Sequence, residues 1–465
     1  MKRIINSTVI ILLLILTTFS CRKREAPLPD NIVTFEFNAQ GLEEQENSIA
    51  IKINTSRATD RDIDIIITIV EEGLQYGTDY TTTPAVVNGK ITATIPSGNN
   101  ETTVTVNKEP GALFDGDEKL QMEIYSSANP VIIGAGKQFT LNFDELVATA
   151  SAVTIDGGGS LYPNRVFADL SANRQVPVLR TSWDLGFYMQ AGDYRVILNS
   201  ATGMMAKQID KTDLTQVNAA DTTGLTYEVA FSQTSPAPQQ MAYIDHPSGD
   251  LNQTAIAAVS PTATDNKVYI INRGNGVGSP APGRGWKKVR IIRNASGGYT
   301  LQHADIDAAT FQEINMAKDD SYFFKYISFE NGIVDVEPGK SKWDIAWTYF
   351  SNSVNFGGGE VPYLYQDIIL QNRNVEVAKV LTADIAFDAF SEADITTQTF
   401  STAQATIGSD WRSGGGPTSG PSIRSDRYYI IKDGDGNYYK IKFTALTKNG
   451  ERGYPAFESV LVKRG

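Results

Sequence analysis

Ser182-Trp183-Asp184-Leu185-Gly186-Phe187 returns later in the chain as Lys342-Trp343-Asp344-Ile345-Ala346-Trp347. In both, large apolar residues alternate with small or acidic ones, the period of a β-strand. Two further pairs follow in the same order. Lys267-Val268-Tyr269-Ile270-Ile271-Asn272 is echoed by Arg427-Tyr428-Tyr429-Ile430-Ile431-Lys432. Lys287-Lys288-Val289-Arg290-Ile291-Ile292 is answered by Tyr439-Lys440-Ile441-Lys442-Phe443-Thr444. A unit of about 160 residues is domain-sized and too long for a solenoid repeat. The reading is therefore two tandem β-rich copies, 148–316 and 317–465. Trp183 and Trp343 are expected in a core with their indole N–H groups bonded. Asp184 and Asp344 point to the other strand face and are expected to cap a neighbouring loop.

Upstream, residues 31–147 hold short alternating runs such as Asp62-Ile63-Asp64-Ile65-Ile66-Ile67-Thr68-Ile69 and Thr103-Val104-Thr105-Val106. Turn residues separate them, which predicts a β-sandwich. The expected fold class is thus all-β: an N-terminal sandwich followed by two β-rich units.

Residues 1–21 read as a secretory signal: Lys2 and Arg3, an apolar run over Val9–Leu16, then Cys21. The run is too short to span a membrane stably. Cys21 is the single cysteine of the chain, so no disulfide framework is available. The Thr18-Phe19-Ser20-Cys21 box resembles a bacterial lipoprotein signal, which implies lipid on Cys21. Residues 22–30, charged and carrying two prolines, then read as a tether. The expected location is the cell envelope, as an outer-membrane lipoprotein on the surface or periplasmic face. A net charge of −12 without a basic run argues against nucleic acid as a partner. His246 and His303 are the two histidines present, which restricts triad or zinc chemistry. No nucleophile elbow, zincin motif or glycosidase pair is legible, and no enzyme is expected.

Two family resemblances follow from these residues. Gly77-Thr78-Asp79-Tyr80, Ile95-Pro96-Ser97-Gly98 and Asp115-Gly116-Asp117-Glu118-Lys119-Leu120 resemble the Calx-beta type of immunoglobulin-like domain. That resemblance implies calcium ligation by Asp79, Asp115, Asp117 and Glu118, with solvated turns as the plain alternative. Tyr326-Ile327-Ser328-Phe329-Glu330-Asn331-Gly332, the Lys342–Thr348 segment and Arg427–Phe443 resemble the HmuY family of Bacteroidetes lipoproteins. That family implies an all-β protein that captures haem outside the cell and hands it to an outer-membrane receptor. The family's iron-ligating histidines do not carry over: the loop before the final hairpin, Gly414–Pro421, holds no histidine, methionine or cysteine.

Haem ligation therefore falls to other residues. His246, beside Asp245, offers a ring nitrogen. Met204 and Met205 offer soft sulfur, and more often such a pair fills core gaps. Tyr363 and Tyr365 are the second-copy option, weakened by an ordinary pKa near 10. His303, alternating with Tyr299 and Leu301, reads as a packing residue. Asp433-x-Asp435-x-Asn437 begins like an EF-hand loop, but Tyr438 and Thr444 stand where a glycine and a glutamate are needed, so a hairpin turn is expected. The spaced glycines of Gly274–Gly285 lack a strand-to-helix context and read as a flexible connection, like Ser413–Pro421. A function of another class fits the same sequence: a structural or adhesive surface lipoprotein that binds protein or glycan.

Overall fold

A computed structural model describes residues 29–43, 46–144, 146–415 and 420–465. Cys21 and most of the expected tether lie outside the described residues. The chain divides into a unit up to residue 145 and a unit from residue 146. Both are built from strands.

The first unit is a sandwich of two five-stranded sheets. One runs Tyr80–Thr83, Glu101–Lys108, Ser48–Thr55, Asn31–Phe35, Val131–Ile133. The other runs Ala39–Leu42, Gln138–Phe143, Lys119–Ser127, Ile63–Glu72, Lys90–Ile95. The alternation seen in sequence sets the faces. Ile63, Ile65 and Ile67 are buried while Asp64 between them is exposed. Phe35 meets Phe139 across the sheets at 5.5 Å between ring centroids, the aromatic contact expected of a sandwich core.

The second unit contains two pairs of sheets with matching strand orders. The first pair is Val196–Leu198, Leu185–Tyr188, Phe324–Ser328, Gly332–Val334, with Met205–Ile209, Val268–Asn272, Trp286–Arg293, Tyr299–Asp305, Gln312–Met316. The second is Glu360–Gln371, Ile345–Asn355, Asn164–Asp169, Arg174–Leu179, with Glu376–Leu381, Arg427–Lys432, Tyr438–Ala445, Ala456–Lys463, Ala150–Thr154.

The pairings cross the expected boundary at 316/317. Asn164–Asp169 pairs with Ile345–Asn355 (Phe167 opposite Ala346), and Leu185–Tyr188 pairs with Phe324–Ser328 (Gly186 opposite Tyr326). The opening strands of each sequence repeat thus sit in the sheets of the other, and 148–316 and 317–465 are not separate sheet systems. A strand gains the same backbone hydrogen bonds from either partner, so local sequence does not reveal the exchange.

Each sheet pair has its own core. Leu185, Phe187, Ile271, Val289 and Tyr299 belong to one, and Trp347, Trp411, Tyr429, Ile441 and Phe443 to the other. A third cluster joins them: Phe167, Trp183, Tyr188, Phe324, Tyr326, Val336, Trp343 and Ala346. Burial at about 25 cal/mol per Å² of apolar surface makes these rings the strongest local drive for the crossed pairing. Among the described residues, helix is limited to short turns, and none is long and apolar enough to cross a membrane.

Candidate functional site

The Trp-Asp motifs fix the frame of the second unit by matched hydrogen bonds. Asp184 N donates to Ile327 O and Asp344 N donates to Ala168 O, each at 2.8 Å. Asn199 Nδ2 ties the Arg180 and Trp183 carbonyls, and Asn372 Nδ2 ties those of Lys340 and Trp343. The aspartates cap backbone as expected. Both indoles are in the core, but neither Nε1–H has a partner, contrary to expectation. Trp183 packs edge-on to Tyr326 at 4.7 Å and Trp343 edge-on to Phe167 at 5.0 Å. Gly186 makes the first contact possible: a Cβ there would stand 2.9 Å from Tyr326 Cε1.

Two concavities flank this frame. The larger is a cleft of about 560 Å³ whose lining includes Leu161, Arg180, Tyr349, Tyr363, Leu364, Tyr365 and Arg412. That volume lies within the roughly 300–1,000 Å³ of ligand pockets. The Tyr363 and Tyr365 rings meet tilted at 4.8 Å between centroids, and Phe356, 68% exposed, extends the row at 6.0 Å from Tyr363. Burial raises the Tyr365 phenol above its ordinary value, with Tyr363 adding to the shift and Arg412 opposing it. Arg180 is pinned by the carbonyls of Tyr162, Ala201 and Gly276, and its guanidinium lies 4.8 Å from the Tyr349 ring.

The Gly274–Gly285 segment forms part of the rim and is not a loose connection. Gly276 N donates to Pro282 O at 2.7 Å and Arg284 N to Gly274 O at 2.9 Å. Gly274 is required there, because a Cβ would fall 2.0 Å from Thr202 O. In the second loop, Arg412–Ser413 pairs with Ser422–Ile423, and residues 416–419 lie outside the described residues.

The smaller concavity is a chamber of about 60 Å³ in the joining cluster, lined by both tryptophans, Arg165, Tyr326, Glu337, Gln371 and Arg373 among others. His246 also lines it and is exposed, which puts it at the mouth. Its Nδ1 lies 2.8 Å from Ser248 Oγ. Asp245 does not orient the imidazole; its oxygens accept from Leu198 N and Ala255 N. Burial pushes the Asp245 carboxyl up to about 6.

The structure does not bring the expected haem ligands together. Met204 fills the first core beside Leu185 and Tyr269, and Met205 a separate cluster with Val229 and Ile244. Both are fully buried, the gap-filling role of thioethers. His303 is buried as well, stacked on Phe329 at 5.3 Å. Arg165, Glu337, Tyr326, Arg180 and Arg412 escaped the sequence reading. A charged residue inside the strand Asn-Arg-Val-Phe-Ala-Asp is the one local signal that pointed to them.

In the first unit, ligand oxygens of Asp115, Asp117 and Glu118 lie within 4.8 Å of one another, and Asp79 is not in that group. Asp79 accepts from Gln75 N at 2.7 Å. Glu118 already accepts from the amides of Asp115 and Gly116, closing the turn. Asp433 likewise accepts from Asp435 N and Asn437 N, a hairpin turn as expected.

The family described as HmuY protein matches residues 161–458 in a single span, across both sequence repeats. No curated protein matches the chain. Among solved structures, a HmuY-like heme binding protein proposed for Bacteroides vulgatus is 10% identical; the alignment covers 67% of this chain and 91% of that one, with a TM-score of 0.16. A proposed carbohydrate binding protein from Bacteroides ovatus is 11% identical over 74% and 98%, with a TM-score of 0.21. The apo Calx CBD1 domain is 14% identical over 25% and 96%, also at 0.21. Likenesses at these scores carry no argument about this chain.

Proposed function

This chain belongs to the HmuY family, a family of binding proteins, and we propose from that premise that its wide cleft captures haem. The observation that carries the reading is the cleft itself: large enough for a tetrapyrrole, walled by tyrosines, flanked by Arg180 and Arg412. Aromatic faces suit the porphyrin ring, and the positive charge of the two guanidinium groups, both held by backbone carbonyls, suits its carboxylates. Tyr363 or Tyr365 is the oxygen donor closest in kind to a known axial ligand, although the raised pKa of Tyr365 works against ionisation. Haem, when bound, supplies an iron centre; the protein's task is to hold it and shield its faces.

Titrating purified protein with haem tests this. A Soret band is expected, and Tyr363→Phe with Tyr365→Phe weakens it. His246→Ala leaves it unchanged, because His246 faces the chamber mouth. Loss of binding in His246→Ala alone would move the haem site to that mouth, and absence of any Soret change would favour the adhesive reading. Hand-over to an outer-membrane receptor is part of the same proposal, and transfer assays with receptor-bearing membranes check it.

We further propose that Cys21 carries lipid and places the protein in the envelope. Cys21→Ala then shifts it out of the membrane fraction. For the second unit, descent from a duplication with exchanged opening strands explains the matched sheet orders. Superposing the two sheet pairs should lay Trp183 on Trp343. Calcium at Asp115, Asp117 and Glu118 is a secondary reading that rests on their convergence; calorimetric titration without heat would remove it.

A further inference from the structure

The chamber between Trp183 and Trp343 has a polar lining that the fold does not explain. Register places Tyr326 where the other half has Phe167, and Arg165 where it has Phe324. Both apolar counterparts are buried in the joining core. An aromatic residue therefore meets the packing needs of either position, and the hydroxyl and guanidinium are extra. Burying polar groups without partners is costly.

Five such atoms belong to residues that line this one chamber: Trp183 Nε1, Trp343 Nε1, Arg165 Nε, Glu337 Oε1 and Gln371 Oε1. Each parent side chain is more than nine-tenths buried. Three of the atoms are N–H donors. Tyr326 Oη donates to the other Glu337 oxygen at 2.6 Å, so that hydroxyl is used. The Trp343 indole lies near enough to hold the Glu337 pKa down without closing a hydrogen bond. Arg373, also in the lining, adds a second positive charge, its guanidinium 5.2 Å from the Phe324 ring.

We infer that the chamber is a binding site for a small carboxylate, received by the two indole N–H groups and Arg165 Nε–H under the positive charge of Arg165 and Arg373. The donor set matches an acceptor-only group, and a 60 Å³ space admits only a few heavy atoms. The titratable groups lining the chamber are Glu337, Tyr326, Arg165, Arg373, Asp245 and Asp250, with His246 at the mouth. Burial pushes the Glu337 carboxyl up to about 7, so below neutrality it is protonated and can donate to the bound anion. The inference does not rest on haem capture, since the cleft uses other residues.

Acetate and its neutral isostere acetamide are the probes, read by thermal melting of the whole protein and by fluorescence of its tryptophans. Acetate is expected to raise the melting temperature in a saturable way, more at pH 6 than at pH 8, and acetamide to do nothing. Trp343→Phe and Trp183→Phe each weaken acetate roughly tenfold or more, the usual effect of losing a hydrogen bond to a charged group. Glu337→Gln, nearly isosteric, keeps acetate binding and removes its pH dependence. Tyr363→Phe leaves it intact. Protoporphyrin IX competing with acetate, where its dimethyl ester does not, would identify the carboxylate as the arm of a larger molecule. Equal stabilisation by acetamide, no effect of acetate, or a Glu337→Gln protein with unchanged pH dependence would overturn the inference.

Discussion

Asp184 and Asp344 do the same backbone job in the two halves of the second unit. Asp184 Oδ2 accepts from Phe329 N at 2.9 Å, and Asp344 Oδ2 accepts from Leu170 N at 2.8 Å. Their electrostatic surroundings are opposite. Asp184, fully buried, takes a two-pronged pair from Arg273 at 2.9 and 3.0 Å and a third contact from Arg284 at 3.0 Å. Asp344 faces Asp169, Asp433 and Asp435; burial first, then their charge, holds its carboxyl well above the usual range. One motif thus serves as an ion-pair anchor in one half and stands among other acids in the other. What the fold requires of the motif is the acceptor oxygen, and its charge is free to differ.

A matched pair of substitutions would break or sharpen this contrast. Asp184→Asn removes the counter-charge of Arg284 and one of the two counter-charges of Arg273, which keeps Glu330, and is expected to cost about 3 kcal/mol. Asp344→Asn keeps an acceptor for Leu170 N and removes repulsion, so its change is expected within about 1 kcal/mol. Urea unfolding of both variants measures the difference. Equal losses would mean the charge of Asp344 matters as much as that of Asp184.

The next largest effect is in pH. The Glu337 carboxyl stands at about 7 in the folded protein against an ordinary 4.5, and Asp344 is shifted the same way. A raised carboxyl favours the protonated folded state. Its contribution is full below about pH 4.5 and is lost as pH rises through about 7. For Glu337 alone the loss is about 3 kcal/mol. Stability measured from pH 5 to 8 should fall, and Glu337→Gln should reduce the slope to the part owed to Asp245, raised to about 6, and Asp344. An unchanged slope would place the titration elsewhere.

The smallest effect lies on the Asp184 side. His303 is buried with neither ring nitrogen partnered, and desolvation lowers its pKa below the ordinary 6.5. The sign is therefore reversed: the contribution is present above pH 6.5 and is lost as pH falls through the lowered value. His303→Phe should remove that acid-side loss, a gain of about 1 kcal/mol or less near pH 5. A melting curve at pH 5 showing loss instead would give the imidazole a polar role.

Much of the architecture was legible because it rests on periodicity. Ile63, Ile65 and Ile67 recur at every second position with Asp64 between the first two, so one sheet face had to be buried. Trp183 and Trp343 had to find a core, and the repeat spacing marked them as counterparts. The site was legible only in part. Tyr363 and Tyr365 stood out as the second-copy option for iron ligation, and they line the cleft. His246 stood out as a candidate iron ligand, and the structure sets it at the chamber mouth, away from the cleft. Met204 and Met205 could not be told apart from core fillers, because a buried strand and a ligand loop use the same residue type.

Sequence alone determined that this protein is all-β, that its second region carries a repeated Trp-Asp frame, and that it resembles HmuY proteins. Those properties are local: strand period, residue volume and motif order survive without knowledge of partners. Tertiary structure decided which strands pair, and with them everything that depends on distant residues meeting. Asn164–Asp169 could complete its hydrogen bonds on either sheet, and its choice of Ile345–Asn355 brings Arg165 to Glu337 and Trp343. Whether an aspartate meets two arginines or three other acids was settled by the same long-range pairing, because charge interactions depend on separation in space and not along the chain.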